Sequence, residues 1–270
     1  MSDSNRNPDE TDQDDASLSS NEKAMGFWDH LEELRGTLIK SIIAFGICAG
    51  GIGIFLSEFN HLLLGPFNSI AAEYPDQGLT LGVMSPMESF NIIIQMCLLG
   101  GLIMSLPFIL FFIGQFVAPA LTEKEMKAVL PMCVSAGMLF VMGACFAFFF
   151  LLPSTMRVSV EIAQLLEFKF QWTAASYYSL LTIMVLGIGA AFEFPLVIVL
   201  LVWLGMLTTD FLRRYRRHAI VAIFVIAAIV TPTPDPLNQT FFAVPLYLLY
   251  EIAILASARV EKRRAREQKS

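Results

Sequence analysis

Long apolar runs are the feature that most limits what this chain can fold into. Four stretches reach the length of about 20 mostly apolar residues that a helix needs to cross a hydrocarbon layer: 38–56, 90–113, 129–152 and 177–204. Hydrophobic residues make up 56% of the 270 residues and charged residues only 16%, whereas about 25% charge is usual in soluble domains. We therefore predict an all-α, polytopic membrane protein and exclude a soluble enzyme.

Two further apolar segments are shorter. Residues 219–230 form an unbroken apolar run of a dozen residues, and residues 241–256 amount to about four helical turns. Either segment could be a span or a re-entrant helix. Three prolines in the connection 231–236 cannot continue a helix. We predict a hairpin of two helices, and the sequence leaves open whether its tip reaches the far surface.

The lysines and arginines are unevenly distributed between the predicted loops. Sixteen of the eighteen lie in four segments: 1–40, 113–130, 205–218 and 257–270. The 57–87 loop has none, and the 153–176 loop has only Arg157 and Lys169. Because cytoplasmic loops carry an excess of these residues, we predict six spans in the cell (inner) membrane with both termini in the cytoplasm.

The two ends of the chain carry opposite charge. Residues 1–36 hold ten of the 24 acidic residues, and the first 23 residues contain no apolar run. We predict a disordered acidic tail over 1–24, a six-helix transmembrane domain over 25–257 and a basic cytoplasmic tail over 258–270. The acidic start is unlike a cleavable signal peptide, whose first region is basic.

Glu193 is the only Asp, Glu, Lys, Arg or His in the fourth predicted span. A carboxylate in the hydrocarbon core costs about 2.5–3.5 kcal/mol, so we expect Glu193 to be mostly protonated. Gly187 and Gly189 before it and Pro195 after it predict a narrow, kinked helix with a concave wall. Glu193 is either a structural group bonded to a neighbouring helix or, as we favour, a functional one.

A polar strip lies at the outer end of the second predicted span. Glu88, Asn91 and Gln95 recur at helical spacing and therefore share one helix face. Such a strip can bind a ligand or can simply join two helices, and the sequence does not decide between these roles.

An amphipathic pattern precedes the first span. The apolar face contains Phe27, Leu31, Leu34 and Leu38, and the opposite side contains Asp29, Glu32 and Glu33. We expect this helix to lie at the cytoplasmic surface of the membrane. An acidic face does not suit an anionic lipid surface, so it is either solvated or a binding site for a basic ligand.

The loop after the second span contains two more acids, Glu123 and Glu125. Thr122 followed by Glu125 fits a capping box at the start of the third long helix. Glu125 could therefore serve only the helix start, or it could bind the same basic ligand.

Sequence motifs for catalysis and for phosphate binding are absent. The three histidines lie outside the predicted spans, and the four cysteines are isolated in apolar runs without the paired spacing of a metal or redox site. We predict no enzyme activity, no metal, no cofactor and no nucleic-acid partner.

Several motifs together resemble the TatC family of the twin-arginine (Sec-independent) protein translocase. They are HLEELR at 30–35, SPMESF at 85–90, QFVAPAL at 115–121 followed by Glu125, FEFP at 192–195, and TPDP at 233–236 followed by Gln239 and Thr240. Their order and the predicted topology together cover the chain from about residue 26 to residue 257.

The resemblance implies a concave, glove-like bundle of six helices that recognises the twin-arginine signal peptides of folded cargo. It also implies TatA and TatB as partners, self-association in a multimeric receptor complex, contact with membrane lipids and transport driven by the proton-motive force. The signal-peptide site would contain Glu33, Arg35, Phe116, Pro119, Leu121 and Glu125. Asn91, Gln95 and Glu193 would be the intramembrane polar residues, and the outer face would contain Pro66, Glu88, Asp235 and Gln239.

Two other functions compete with this interpretation. A proton-coupled small-molecule carrier could use Glu193 as its titrating group, but carriers usually show internal repeats, and none is evident in the sequence. A purely structural membrane scaffold would explain the topology and would leave Glu193 without a role.

Overall fold

The computed structural model describes residues 27–117, 123–168, 171–230 and 236–267. The predicted acidic tail 1–24 and the end of the predicted basic tail therefore lie outside the described residues. Within the described ranges the chain is almost entirely helical.

The helices, in chain order, are α1 Phe27–Ile54, α2 Leu56–Leu63, α3 Gly65–Glu73, α4 Pro86–Val117, α5 Glu123–Phe146, α6 Leu152–Leu165, α7 Ala174–Trp203, α8 Thr209–Arg214, α9 Arg216–Val230 and α10 Pro236–Glu267. A 3-10 turn, Pro75–Gln77, follows α3, and a π-helical turn, Ala147–Leu151, joins α5 to α6. Two strands of two residues each, β1 (Leu81–Gly82) and β2 (Trp172–Thr173), pair in parallel.

Five helical stretches of the described chain are long and apolar enough to cross a membrane: His30–Ile54, Pro86–Phe116, Val129–Leu165, Ala174–Trp203 and Asn238–Lys262. This confirms the prediction of an all-α, polytopic membrane protein. Helix α9 has 15 residues and is therefore about 22 Å long, shorter than a hydrocarbon core of about 30 Å. The count of six full spans stays a prediction.

The sixth predicted segment is longer than expected. Helix α10 has 32 residues, and 25 of these form a candidate span, so the prediction of a four-turn helix over 241–256 was wrong. The helix continues past the end of the apolar run because arginine, lysine and glutamate, which fill its last turns, are good helix formers.

The first helix also differs from the expectation of a separate helix at the membrane surface. Helix α1 runs without a break from Phe27 to Ile54, over 28 residues. The segment between Arg35 and Ser41 contains no proline, and a single glycine such as Gly36 costs only about 1 kcal/mol in a helix. The acidic motif therefore extends the first spanning helix rather than preceding it.

Helix α7 is the centre of the bundle and packs against α4, α5 and α10. One of its faces is fully buried, with Tyr177, Leu181, Met184 and Ile188 each 0% exposed. Their spacing of four, three and four residues is that of a single helical stripe. Helix α1 lies at the edge of the bundle, where it packs mainly against α4.

A glycine allows α1 and α4 to approach closely. A Cβ atom at Gly101 of α4 would lie 2.9 Å from the Cα atom and 3.0 Å from the amide nitrogen of Ala49 in α1. These are backbone atoms, which cannot move aside as a flexible side chain can. Small residues commonly permit such close approach of membrane helices.

We predict that Gly101→Ala destabilises the protein by about 1–3 kcal/mol, because the added methyl group overpacks a rigid contact. The expected measurement is a lower midpoint of thermal unfolding for the purified protein in detergent. Gly46→Ala in α1 is the matched control, since no atom lies within 4 Å of the Cβ position at Gly46. Equal midpoints for the two variants would contradict the proposed packing constraint.

We further predict that a cysteine at position 237, in a background without the four native cysteines, reacts with an impermeant thiol reagent added from outside. The reason is that arginines cluster at the start of α9 and at the end of α10, so both of these ends are expected in the cytoplasm. The tip of the hairpin, between α9 and α10, is then expected on the other side of the membrane. Arg214→Cys is the control and should react only from the cytoplasmic side. Labelling of Leu237→Cys from the cytoplasmic side alone would identify a re-entrant hairpin.

Candidate functional site

The start of α1 and the end of α4 meet at one end of the bundle. The ring of His30 stacks on the ring of Phe116, with centroids 4.4 Å apart and planes inclined by 16°. His30 belongs to the acidic motif before the first span, and Phe116 belongs to the motif after the second. The structure therefore brings together two sequence motifs that the family resemblance assigns to one site.

Glu33 follows His30 by one helical turn and lies beside this aromatic pair. Its Oε2 atom is 3.9 Å from His30 Nδ1, which is beyond hydrogen-bond distance. The side chain as a whole is 38% exposed, yet Oε2 is buried and has no hydrogen-bond donor among the described residues. A buried oxygen without a donor destabilises the folded state by about 1–3 kcal/mol. A ligand that donates a hydrogen bond to Glu33 Oε2 would remove this cost.

The neighbouring acid has a different environment. Glu32 Oε1 accepts a hydrogen bond of 3.4 Å from Arg35 Nη1, and the two side chains are 73% and 70% exposed. Such a solvated pair contributes little to stability, but it provides Glu32 with a cation. Arg35, predicted to be a binding residue, is thus placed on the same helix as Glu33 and pairs with Glu32.

The structure does not describe the side chains of four predicted site residues. Pro119 and Leu121 lie outside the described residues, as does Asp235 at the hairpin. Glu125 lies in the first turn of α5, whose backbone is described but whose side chain at this position is not. The connection 118–122 between α4 and α5 has only five residues, which keeps the start of α5 near Phe116.

Glu193 lies in the C-terminal half of α7 and is half-buried. Its Oε1 atom is buried without a hydrogen-bond partner among the described residues. Phe192 beside it is buried in the core, whereas Phe194 is exposed. Glu193 therefore lies at the border between the packed interior and the surface of the bundle.

The glycines before Glu193 allow apolar side chains to approach α7 closely. A Cβ atom at Gly189 would lie 2.8 Å from the ring of Phe140, and one at Gly187 would lie 3.1 Å from Val230 Cγ1. Apolar side chains of α5 and α9 therefore fill the space beside these two glycines. A glycine pattern shows that something approaches closely, but it does not show which side chain does so.

The polar strip of α4 separates into residues with different environments. Glu88 Oε1 accepts a hydrogen bond from the Ala175 amide at 2.8 Å, and Oε2 accepts one from the Met84 amide at 2.7 Å. Glu88 therefore ties the start of α4 to the start of α7. Asn91 is exposed, and Gln95 has a buried Oε1 atom without a hydrogen-bond partner among the described residues.

Further polar contacts join the segments at this end of the bundle. Arg157 of α6 donates a hydrogen bond of 2.7 Å to Glu73 of α3, 84 residues away. The Tyr74 hydroxyl donates to Glu161 at 3.3 Å, and burial together with the charge of Glu161 raises the pKa of this phenol, which keeps it a donor. Pro66, predicted to lie on the outer face, is buried in the first turn of α3.

The hairpin contains a polar contact that sequence reasoning missed. Asn238 is 0% exposed, and its Oδ1 atom accepts a hydrogen bond from the Ser154 hydroxyl of α6. The next residue, Gln239, donates through Nε2 to the carbonyl of Phe224 in α9 at 3.0 Å. In the sequence, two consecutive amide side chains, Asn238 and Gln239, precede the apolar run and could have indicated this contact. Only Gln239 was predicted to be a site residue.

A paired acid of α10 was also missed. Glu251 lies within the candidate span of α10, where its Oε2 atom accepts a hydrogen bond of 2.8 Å from Arg216 at the start of α9. Tyr247 donates to the other oxygen at 3.0 Å. Glu251 is therefore satisfied by two donors, whereas Glu193 has an oxygen with none among the described residues.

Comparisons with a family model and with known protein sequences indicate the same family. A family model described as Sec-independent protein translocase protein (TatC) matches residues 29–245. The TatC protein of Koribacter versatilis is 31% identical over 252 residues, covering 92% of this chain and 90% of that protein. The TatC proteins of Aquifex aeolicus and of Escherichia coli K12 are each 34% identical, over 91% and 88% of this chain and 100% and 91% of their own lengths.

Solved structures agree with these sequence relatives. A crystal structure described as that of the twin arginine translocase receptor TatC superposes with a TM-score of 0.70 at 36% identity, covering 86% of this chain and 99% of that one. A second structure of the same receptor in the detergent DDM gives a TM-score of 0.72, also at 36% identity, over 84% of this chain and 99% of that one.

Proposed function

The chain belongs to the TatC family of Sec-independent protein translocase proteins, and from that premise we propose that it is the receptor for twin-arginine signal peptides. As a family member it is a multi-pass membrane component of protein transport. In the proposed role it binds the signal peptide of a folded cargo protein at the cytoplasmic side of the cell membrane, where both of its termini lie, and it has no enzymatic turnover.

The observation that carries this proposal is the environment of Glu33. Two adjacent guanidinium groups are best recognised by carboxylates, which can accept paired N–H donors in a bidentate arrangement. Glu33 offers a carboxyl group whose Oε2 atom has no donor among the described residues. Glu32, one residue earlier, is already paired with Arg35, so Glu33 is the acid of this motif that is better suited to bind a ligand.

A second arginine requires a second acceptor, and Glu125 is the proposed one. Glu125 lies in the first turn of α5. A connection of five residues, 118–122, joins the end of α4, next to Phe116, to the start of α5. Phe116 supplies an aromatic face for a cation–π contact with a guanidinium group. Pro119 and Leu121 in the connection would add apolar contacts to the peptide beside the two arginines.

Partner subunits and self-association form part of the same proposal. The candidate span of α1 has 0% of its apolar window buried within the bundle, so this helix presents its outer face to lipid or to other membrane helices. On the basis of the family resemblance, we propose that TatA and TatB assemble with this chain in a translocase complex. Transport through this complex would be driven by the proton-motive force. Pro66, Glu88, Asp235 and Gln239 would shape the outer end of the bundle.

Glu193 has a separate proposed role inside the membrane. A protonated carboxylic acid can donate as well as accept a hydrogen bond, so it can hold an inserted signal peptide or an incoming TatA helix. Asn91 and Gln95 of α4 would contribute further polar groups to the same pathway. The Oε1 atom of Glu193, which has no hydrogen-bond partner among the described residues, also favours the second candidate function, a proton-coupled carrier. A carrier would leave Glu33 without a role.

We predict that Glu33→Gln and Glu125→Gln each weaken binding of a peptide with two consecutive arginines by about ten- to a hundredfold. The reason is that loss of one charge-assisted contact costs about 1.5–3 kcal/mol. The measurement is photocrosslinking of a labelled signal peptide to the purified protein, with a two-lysine version of the peptide as a second ligand. The two-lysine peptide should bind more weakly to the wild type, because lysine lacks the bidentate fork.

Glu32→Gln is the matched control for this experiment, since it removes one acid from the same helix and leaves Glu33 intact. We expect it to bind the two-arginine peptide as the wild type does. If Glu33→Gln and Glu125→Gln also crosslink normally, the two acids have only capping and solvation roles, and the receptor proposal fails.

We predict that Glu193→Gln retains more export of a twin-arginine reporter than Glu193→Ala or Glu193→Leu does. Glutamine keeps a hydrogen-bond donor and most of the shape of a protonated glutamate, whereas alanine and leucine remove the polar group. Export is measured as the fraction of reporter that reaches the outer side at matched membrane levels of each variant. Equal export from all three variants would exclude a transport role for Glu193, and failure of the glutamine variant alone would favour a titrating group.

A further inference from the structure

Helix α8 and the second half of α10 are joined by contacts outside the proposed peptide site. The Tyr250 hydroxyl of α10 donates to the Leu212 carbonyl of α8 at 2.9 Å. The Thr209 amide, at the start of α8, donates to Glu261 Oε2 at 3.2 Å. Leu212 itself is buried. These contacts fix two arginine-rich segments, one around α8 and one in α10, at the same end of the bundle.

The exposed cations of these two segments form what we call the basic surface: Arg213, Arg214, Arg217, Arg259 and Lys262. None of the five forms an ion pair with a described acidic side chain. Arg216 lies among them but is bound to Glu251. Of the neighbouring acids, Glu261 is engaged with the Thr209 amide, and Asp210 is exposed. The surface thus carries more positive than negative charge.

Aromatic side chains line the same surface. Phe211 and Tyr215 are both exposed, and their ring centroids are 4.4 Å apart. His218 lies beyond them, with its ring centroid 5.2 Å from that of Tyr215. Aromatic rings next to arginine are typical of the level at which lipid headgroups meet the hydrocarbon layer. The basic surface lies at the start of α9, where the predicted fifth span begins, and we therefore expect its cations at that level.

We propose that the basic surface binds the phosphate headgroups of anionic phospholipids. A guanidinium group matches a phosphate in bidentate geometry, and each cation near an anionic membrane surface strengthens binding about fivefold. The acidic tail of the chain itself is the other anionic candidate. Exposed phenylalanine and tyrosine rings beside the arginines favour a lipid, because the first 23 residues contain no apolar run that could cover them.

The test uses the full chain purified in a neutral detergent and mixed with phosphatidylglycerol or with phosphatidylcholine. Retained lipids are counted by native mass spectrometry over a range of lipid concentrations. We expect the wild type to retain phosphatidylglycerol in preference to phosphatidylcholine. The triple variant Arg213→Gln, Arg214→Gln, Arg217→Gln should lose about a hundredfold in apparent affinity for phosphatidylglycerol, at about fivefold per cation.

Two further variants separate charge, geometry and folding. Lysine at the same three positions keeps the charge and loses the bidentate fork, so its affinity should fall between those of the wild type and the glutamine variant. Lys40→Gln removes an exposed cation of α1, away from the basic surface, and should change nothing. Size-exclusion profiles and thermal midpoints identify any variant that loses lipid because it no longer folds.

Three outcomes would overturn the proposal. Equal retention of the two lipids by the wild type would mean that the surface does not select an anionic headgroup. Loss of the preference in excess inorganic phosphate would mean that it binds a free anion. A preference that appears only after deletion of residues 2–24 would mean that the acidic tail covers the surface. The signal-peptide experiment with Glu33 and Glu32 is unaffected by each of these results.

Discussion

The lack of water in the hydrocarbon layer is the constraint on which the rest of this structure depends. Each backbone amide and carbonyl group must there be paired within the protein, which leaves helices as the solution for a chain with these apolar runs. The same constraint removes the hydrophobic effect as a force between helices, since lipid tails are as apolar as leucine side chains. Close packing and a small number of polar contacts therefore position the helices.

These positioning contacts are concentrated at the two ends of the bundle. At one end Glu88 ties α4 to α7, Arg157 ties α6 to α3, and Ser154 ties α6 to Asn238 of α10. At the other end Arg216 binds Glu251, and Tyr250 binds the carbonyl of Leu212. Between them the bundle is held mainly by apolar and glycine contacts, such as Gly189 against Phe140. Glu193 of α7 and Gln95 of α4 are polar exceptions in that region.

This arrangement has a consequence for the proposed receptor site. Helix α1 carries Glu33 but packs mainly against one neighbour, α4, through Gly101 and Ala49. The stacking of His30 on Phe116 fixes the start of α1 against the end of α4. The position of Glu33 relative to the end of α4 is therefore set mainly by one helix–helix contact. A displacement of α1 on α4 would change the distance between Glu33 and Glu125, the two proposed arginine acceptors.

The sequence by itself determined the class of the protein, the family motifs and the unusual position of Glu193, because run length and residue type are local properties. It also determined four of the five long apolar helices in the described part of the chain. It misjudged α10, whose polar ends continue the helix beyond the apolar run. Only the tertiary structure decided that Phe140 fills the space beside Gly189, that Glu32 has a cation while Glu33 Oε2 has no described donor, and that Glu251 is neutralised by Arg216. These contacts depend on the rotation and register of helices distant in the chain or on the rotamers of neighbouring side chains, which no local pattern of residues specifies.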